Sequence, residues 1–151
     1  IRFSINTDTV IESCEHATPR AKQRIEAARK VMKAGYPVGF LIAPVFIYPH
    51  WKEDYLMLIK MLKDFLPQEG LNYPVTLEII SHRFTPTAKN HILQVFEQSQ
   101  LPMDESERTY KYGQFGYGKY VYPKETIAEI KELFEFGLSH LPFPYEIKYI
   151  I

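Results

Sequence analysis

Polar residues that could hold a ligand follow the ends of several strand-like segments. Ser4 and Asn6 share one face of an alternating segment at the start of the chain, and residues 43–48, His82 and Arg83 end two further β-rich runs. Ligands of parallel α/β barrels lie at the carboxyl ends of the strands, so we expect these groups to meet at one edge. The alternative for Ser4 and Asn6 is that they only satisfy backbone groups inside the barrel.

A carboxylate stands in an otherwise apolar strand. Glu78 shares the parity of His82 within this segment. Burial of a carboxylate requires a hydrogen bond or a charged partner, which Arg2 or Arg83 can supply. The pattern favours a structural ion pair over catalysis.

Cys14 is the one cysteine of the chain. We expect it in a loop just before the first helix. A role as a hydrogen-atom donor is open, but a small packed side chain is favoured. A single cysteine excludes an internal disulfide and any cysteine-rich metal site built from this chain alone.

The most unusual segment is YKYGQFGYGKYVY, residues 110–122, which interleaves tyrosine, lysine and glycine without an acidic residue. It predicts two short strands around a glycine-rich turn. Rings stack on bases and ammonium groups neutralise phosphates, so this composition suits nucleic acid. The alternative is an aromatic β-surface that packs under the final helix.

The elements that would position these residues alternate between strand and helix. Period-two or apolar runs predict strands at 1–6, 38–47 and 75–80, and helical spacing predicts helices near 18–35, 51–66 and 85–96. Thr18 is the expected cap of the first helix and Gly35 its exit. The third helix is expected to bury one side, formed by Ala88, Ile92, Val95 and Phe96.

This order predicts an α/β fold, a partial parallel (β/α) barrel, because alternating units of this length give parallel strands. Three units are too few to close a barrel. We expect a single domain in which residues 1–100 form the partial barrel. Residues 101–151 would add the hairpin, a helix near 124–138 and a closing strand near 146–151.

Composition narrows the class of protein. The 151 residues carry 18 basic and 18 acidic side chains, so any contact with nucleic acid must be a local patch. Apolar runs are too short for a membrane span or a signal peptide, and we expect a cytoplasmic protein.

Because the chain begins at Ile1 directly in a strand, we expect an excised chain. Its first strand would be an edge strand that a missing N-terminal half covers.

Four stretches resemble the spore photoproduct lyase family of radical S-adenosylmethionine enzymes. RFSINTDTVIE (residues 2–12) and RIEAARKVMKAGYPVGFLIAPVFIY (24–48) resemble the middle of the family's sequence. ISHRFTPTAK (80–89) and the aromatic segment 110–122 follow in the family's order. The resemblance covers essentially the whole chain and implies the C-terminal half of a DNA-repair lyase, with a barrel of radical-SAM type.

The family's chemistry is implied with it. A 4Fe-4S cluster, held by a CxxxCxxC loop, cleaves S-adenosyl-L-methionine, and the 5′-deoxyadenosyl radical abstracts hydrogen from the thymine dimer called spore photoproduct. The dimer then splits into two thymines, and a family cysteine returns a hydrogen. The cluster loop and that cysteine are expected upstream, and Cys14 does not match the donor position. The resemblance therefore implies that this chain alone is inactive.

Site residues follow from the same resemblance. Ser4 matches a serine that holds S-adenosylmethionine, and Ala43 matches an alanine that contacts it through the backbone; Asn6 is added from strand parity. Where the family commonly shows Arg then Tyr near the lesion, this chain has Gln114 and Phe115. The change removes a guanidinium and a phenol but keeps a ring. With these two, Tyr117 and Lys119 complete the residues expected to bind DNA containing the photoproduct.

Two other functions stay open at this stage. A related radical enzyme with a different substrate is suggested by Gln114 and Phe115. A non-catalytic module that binds nucleic acid or protein would lack the cluster. A CxxxCxxC motif in frame upstream would favour an enzyme.

Overall fold

A computed structural model describes residues 1–15, 17–113 and 116–151. The strands are β1 (Arg2–Ile5), β2 (Gly39–Val45), β3 (Val75–Ser81), β4 (Thr109–Tyr112), β5 (Gly118–Val121) and β6 (Tyr145–Ile150). The helices are α1 (Asp8–Cys14), α2 (Ala21–Lys33), α3 (Trp51–Phe65), α4 (Pro86–Val95) and α5 (Lys124–Leu138). A 3-10 turn, Glu105–Glu107, precedes β4. None of the described helices is long and apolar enough to cross a lipid bilayer.

Four strands form a parallel sheet in the order β1-β2-β3-β6. Ile5 lies opposite Ile42, and Ile42 lies opposite Ile79, so one face carries a row of fully buried isoleucines. The helices cover this face: α2 packs against β1 and α3, and α3 packs against α5. The alternation of side chains along each strand thus separates a helix-covered face from an opposite one. The predicted α/β fold with parallel strands is confirmed.

The C-terminal elements belong to the same core. Ile130, Phe134 and Leu138 of α5 are buried in the cluster that contains the sheet residues, and β6 pairs with β3. Residue 100 therefore does not separate two cores. Instead, α4 and the antiparallel pair β4–β5 are inserted between β3 and α5.

Both edge strands of the sheet are unpaired on their outer sides among the described residues. β1 pairs only with β2, and β6 pairs only with β3. An edge strand presents unpaired backbone groups that further chain can cover. The structure of the described residues is therefore an open sheet.

A short helix, α1, was missed by the sequence patterns. Thr7 caps it through its side-chain oxygen, which accepts from the N–H of Val10 at 3.2 Å. The prediction that Cys14 lies in a loop and packs internally is wrong, because Cys14 is the last residue of α1 and is exposed. Seven residues are too few for a helical stripe to stand out from the neighbouring sequence.

The next helix begins later than predicted. Arg20, rather than Thr18, occupies the N-cap of α2, and its backbone N–H donates to the Gln23 side chain at 2.9 Å. Thr18 instead donates to the backbone oxygen of Glu15 at 3.4 Å. Gly35 does follow the helix, with a φ of 87° that favours glycine.

The burial predicted for α4 is wrong. No residue of α4 is buried; Val95 is 72% exposed and Phe96 is 60% exposed. Ala88 is also exposed, and Ile92 is half-buried. Helical spacing of apolar residues indicates a face, but it does not supply the element that covers the face.

Candidate cofactor and substrate site

Ser4 and Ala43 lie near the carboxyl ends of neighbouring parallel strands. Ser4 is exposed, and in register it faces Leu41 of β2, two residues before Ala43. Ala43 is half-buried, and its peptide bond to Pro44 is cis. The pairing of β2 with β3 shifts register between Ile42 and Val45, so Ala43 stands outside the regular ladder. A hydroxyl and a strand-end backbone group thus lie on neighbouring strands, near the same edge of the sheet.

Asn6, by contrast, is wholly buried and makes three hydrogen bonds through its side chain. Its Nδ2 donates to the backbone oxygen of Pro44 at 2.9 Å. Its Oδ1 accepts from the hydroxyl of Tyr55 at 3.0 Å and from the N–H of Thr7 at 2.9 Å. These bonds tie the loop after β1 to the end of β2 and to α3. Asn6 therefore positions these segments relative to one another, and its contact with a cofactor stays a prediction.

A second network of side-chain hydrogen bonds lies next to Asn6. The Thr7 and Tyr48 hydroxyls are 2.8 Å apart, and Tyr48 donates to the Asp54 carboxylate at 3.0 Å. The Thr9 hydroxyl donates to the same carboxylate oxygen at 2.7 Å. Burial and the Asp54 carboxylate raise the pKa of Tyr48 to about 12. The phenol therefore stays protonated at neutral pH and serves as a hydrogen-bond donor, which holds α1 against α3.

The predicted ion pair at Glu78 is confirmed, with Arg2 as the partner. Arg2 Nε lies 3.0 Å from Glu78 Oε1, and the Tyr149 hydroxyl donates to Oε2 at 2.6 Å. The Glu78 side chain is only 9% exposed, whereas that of Arg2 is 71% exposed. Since side chains alternate along a strand, Ser4 shares this face with Arg2. The face opposite the helices thus carries a polar row.

His82 follows β3 and lies in an aromatic cluster. Its ring centroid is 4.6 Å from that of Phe46 and 5.8 Å from that of Phe84. Nδ1 is 3.2 Å from Nη2 of Arg108. Because Arg108 can only donate, Nδ1 accepts and the proton resides on Nε2. Burial first, and then the charge of Arg108, lowers the pKa of His82 to about 4, so the imidazole is neutral at neutral pH.

Arg108 joins the β4–β5 pair to the main sheet, and the sequence patterns did not reveal it. It donates to the backbone oxygens of His82 at 3.0 Å and Pro102 at 2.8 Å. Its guanidinium lies 3.6 Å from the ring centroid of Tyr122. These partners are distant in sequence from one another, so no spacing rule could have found them.

The β4–β5 pair is attached at the carboxyl edge of the main sheet. Phe84 and Tyr120 form an antiparallel bridge with N–H···O distances of 3.1 and 2.7 Å. The Tyr122 hydroxyl accepts from the N–H of Ile47, just after β2. Both anchors follow the carboxyl ends of strands of the main sheet. The β4–β5 pair therefore lies at the same edge as Ser4 and Ala43.

The structure describes two of the four residues that are predicted to bind substrate. Tyr117 is 79% exposed, and Lys119 is half-buried on β5. Gln114 and Phe115 lie outside the described residues. The connection between β4 and β5 thus presents at least one exposed ring to solvent.

Metal ligands are sparse in the described part of the chain. It contains no group of three or more His, Cys, Asp or Glu side chains arranged to hold a metal ion. Cys14 is exposed, with its sulfur 3.4 Å from the Ser13 hydroxyl. The described residues therefore offer no set of thiolates for an iron–sulfur cluster.

Comparison with known proteins decides the family. A family model described as spore photoproduct lyase matches residues 1–151, the entire chain. The chain belongs to the spore photoproduct lyase family. The resemblance found in the four sequence stretches is thereby confirmed.

Two relatives within the spore photoproduct lyase family give the extent of the match. The spore photoproduct lyase of Clostridium acetobutylicum is 49% identical over 151 residues, which are 100% of this chain and 44% of that protein. That of Bacillus subtilis is 45% identical over 134 residues, or 89% of this chain and 39% of that protein. The chain thus spans less than half the length of these lyases.

Solved spore photoproduct lyases share the fold. A mutant with bound AdoMet and dinucleoside spore photoproduct matches with a TM-score of 0.90 and 36% identity, over 99% of this chain and 44% of that chain. A lyase complexed with dinucleoside spore photoproduct matches with a TM-score of 0.89 and 37% identity, over 98% of this chain and 43% of that chain. The arrangement of strands and helices described above is therefore that of the corresponding part of these lyases.

Proposed function

We propose that this chain is the C-terminal part of a DNA-repair lyase that returns spore photoproduct to two thymines by radical S-adenosylmethionine chemistry. The observation that carries the proposal is the convergence of Ser4, Ala43 and the β4–β5 pair at the carboxyl edge of a parallel sheet. Family membership and solved relatives that hold AdoMet and the dinucleoside photoproduct support it.

The residues at the edge fit S-adenosylmethionine. Ser4 offers an exposed hydroxyl, and Ala43 offers backbone groups at a break in the ladder. Neutral hydrogen-bonding groups at strand ends suit the amino acid and nucleoside parts of this cofactor, which supplies the radical chemistry when it is bound. Ser4 and Ala43 would hold the cofactor, and Asn6 would position it indirectly by fixing the loop after β1.

The 4Fe-4S cluster requires ligands from elsewhere. The described residues contain no suitable group, and the sequence has only Cys14. We propose that the N-terminal half of the same protein binds the cluster and covers the open edge at β1. On this proposal, the chain by itself neither binds the cluster nor cleaves S-adenosylmethionine.

The substrate side of the proposal rests on the aromatic segment. Gln114, Phe115, Tyr117 and Lys119 would contact DNA that contains the thymine photoproduct. The exposure of Tyr117 and the absence of acidic residues from 109 to 124 support this assignment. A ring at Phe115 can still stack on a base, whereas Gln114 cannot form the bidentate phosphate contact of an arginine.

The cofactor assignment is tested with the full-length protein reconstituted with its cluster. Ser4→Leu should weaken S-adenosylmethionine binding at least ten-fold, because the added side chain occupies the cofactor's place and removes its hydroxyl partner. Ser139→Leu, at an exposed serine after α5, is the matched control. Equilibrium binding of S-adenosylmethionine and the yield of thymine from the photoproduct are the readouts. Equal behaviour of the two variants would remove Ser4 from the site.

A second candidate is a related radical enzyme with another substrate, which Gln114 and Phe115 favour. The double change Gln114→Arg with Phe115→Tyr separates the two. Faster repair of the photoproduct by this variant supports the lyase, since the restored groups then act on that lesion. Unchanged or slower repair, together with S-adenosylmethionine cleavage, favours a different substrate.

A further inference from the structure

The β4–β5 pair has two chemically different faces. In register, Tyr110 lies opposite Tyr120 and Tyr112 lies opposite Gly118, whereas Lys111 lies opposite Lys119. Because side chains alternate across a strand, the tyrosines share one face and the two lysines share the other. One face is therefore aromatic and the other is basic.

The aromatic face is the outer end of a column of rings that begins inside the protein. Successive ring centroids are between 4.6 and 5.8 Å apart, and the column runs through Phe46, His82, Phe84, Tyr120, Tyr110 and Tyr112. Its inner members are buried, and its last member, Tyr112, is 83% exposed. The column supports an aromatic ring at the surface from beneath.

Glycine at position 118 is required by this packing. A Cβ there would lie 1.8 Å from the Tyr110 hydroxyl oxygen. Tyr110 therefore lies against the β5 backbone and meets the Tyr112 ring edge-on, at 5.0 Å and 88°. Tyr112 is held by its neighbour while its own surface faces solvent.

The basic face places two like charges directly opposite each other. A Lys–Lys pair at such positions destabilises a two-stranded sheet unless an anion compensates it. Neither Lys111 nor Lys119 takes part in an ion pair among the residues that the structure describes. The nearest acidic residues in sequence lie outside 109–124. The pair is thus suited to a bound anion such as a phosphodiester.

We propose that β4–β5 binds the nucleotides that flank the damaged thymines, with a base stacked on Tyr112 and a phosphate held by Lys111 and Lys119. β5 is bridged to Phe84 on its other side, whereas the other side of β4 is unpaired among the residues that the structure describes. A nucleic-acid strand can therefore pass around β4 from one face to the other. This inference rests on the proposed function, because it assumes a DNA substrate.

The size of the surface supports a footprint larger than the lesion. Four residues of β4 extend over about 13 Å. Stacked bases are separated by about 3.4 Å along one strand. A surface of this length therefore exceeds what the two bases of a dinucleoside need.

Substrate length is the test. Full-length protein, wild type and Tyr112→Ala, is assayed with dinucleoside spore photoproduct and with a single-stranded dodecamer that contains the same lesion. Tyr112→Ala should weaken binding of the dodecamer at least five-fold, the lower end of what base–aromatic stacking contributes, and should leave the dinucleoside unaffected. Tyr112→Phe should behave as wild type, because it keeps the ring.

The matched control is Tyr36→Ala. Tyr36 is 59% exposed and precedes β2, at the end of the sheet remote from β4–β5. Both replaced tyrosines are mostly exposed, so both variants should fold. Tyr36→Ala should bind both substrates as the wild type does.

The basic face is tested by the salt dependence of dodecamer binding. Lys111→Ala should reduce the slope of log affinity against log salt by about 0.7, the value for one phosphate contact on a single strand. Lys33→Ala, in the last turn of α2, is the control and should leave the slope unchanged.

The outcomes separate the two proposals. Equal weakening of both substrates by Tyr112→Ala would place the ring at the lesion itself, and no weakening of either would remove it from the interface; each result overturns the inference. Failure of the wild type to repair the dinucleoside would instead refute the proposed function. The length-dependent effect of Tyr112→Ala on affinity is measured independently of repair.

Discussion

Acidification should destabilise this fold through His82. The imidazole is buried, 7% exposed, and its Nδ1 lies 3.2 Å from the Arg108 guanidinium. Burial and this charge lower its pKa from 6.5 to about 4. Below pH 6.5 the unfolded chain binds a proton that the folded chain does not, so the free energy of unfolding falls as the pH falls. The effect is complete below about pH 4.

The size of the effect follows from the shift. A pKa lowered from 6.5 to about 4 corresponds to about 3 kcal/mol in the free energy of unfolding, of which about 2 kcal/mol is lost by pH 5. His82→Phe keeps a ring between Phe46 and Phe84 but cannot be protonated. The wild type should therefore lose about 3 kcal/mol relative to this variant between pH 7 and pH 4.

Urea unfolding of both proteins across this pH range measures the difference. Carboxylates that titrate in the same range contribute equally to both and cancel. His91→Phe, at an exposed position of α4, controls for the loss of a histidine as such. A difference between wild type and His82→Phe that stays constant from pH 7 to pH 4 would refute the placement of a neutral, buried His82 beside Arg108.

Two further predictions concern the polar groups near β1. Asn6→Leu should lower the free energy of unfolding, measured in urea, by about 3 kcal/mol, because it removes three hydrogen bonds of a buried amide at about 1 kcal/mol each. Asn90→Leu, at an exposed position of α4, should have little effect. Arg2→Met should lower the free energy of unfolding by about 2 kcal/mol, since the Tyr149 hydroxyl then remains as the recorded partner of the Glu78 carboxylate. The double variant Arg2→Met with Glu78→Met should recover most of that loss; an additive loss in thermal or urea unfolding would contradict a direct pair.

Local patterns in the sequence predicted most of the elements closely. The helix expected at 51–66 is α3, Trp51–Phe65, and the strand expected at 75–80 is β3, Val75–Ser81. The final helix has the bounds Lys124–Leu138 that its pattern indicated. These elements are determined by spacing and capping residues within a dozen or so positions, which is information that a sequence carries directly.

The sequence by itself determined the family and the alternation of strands and helices, because both are written in contiguous residues. Only the tertiary structure decided how the polar groups are used. Asn6 is buried and bonds to Tyr55, Arg108 contacts His82, and the apolar residues of α4 stay exposed. Each of these outcomes depends on which distant segment packs against a side chain, and periodicity along the chain does not specify that partner.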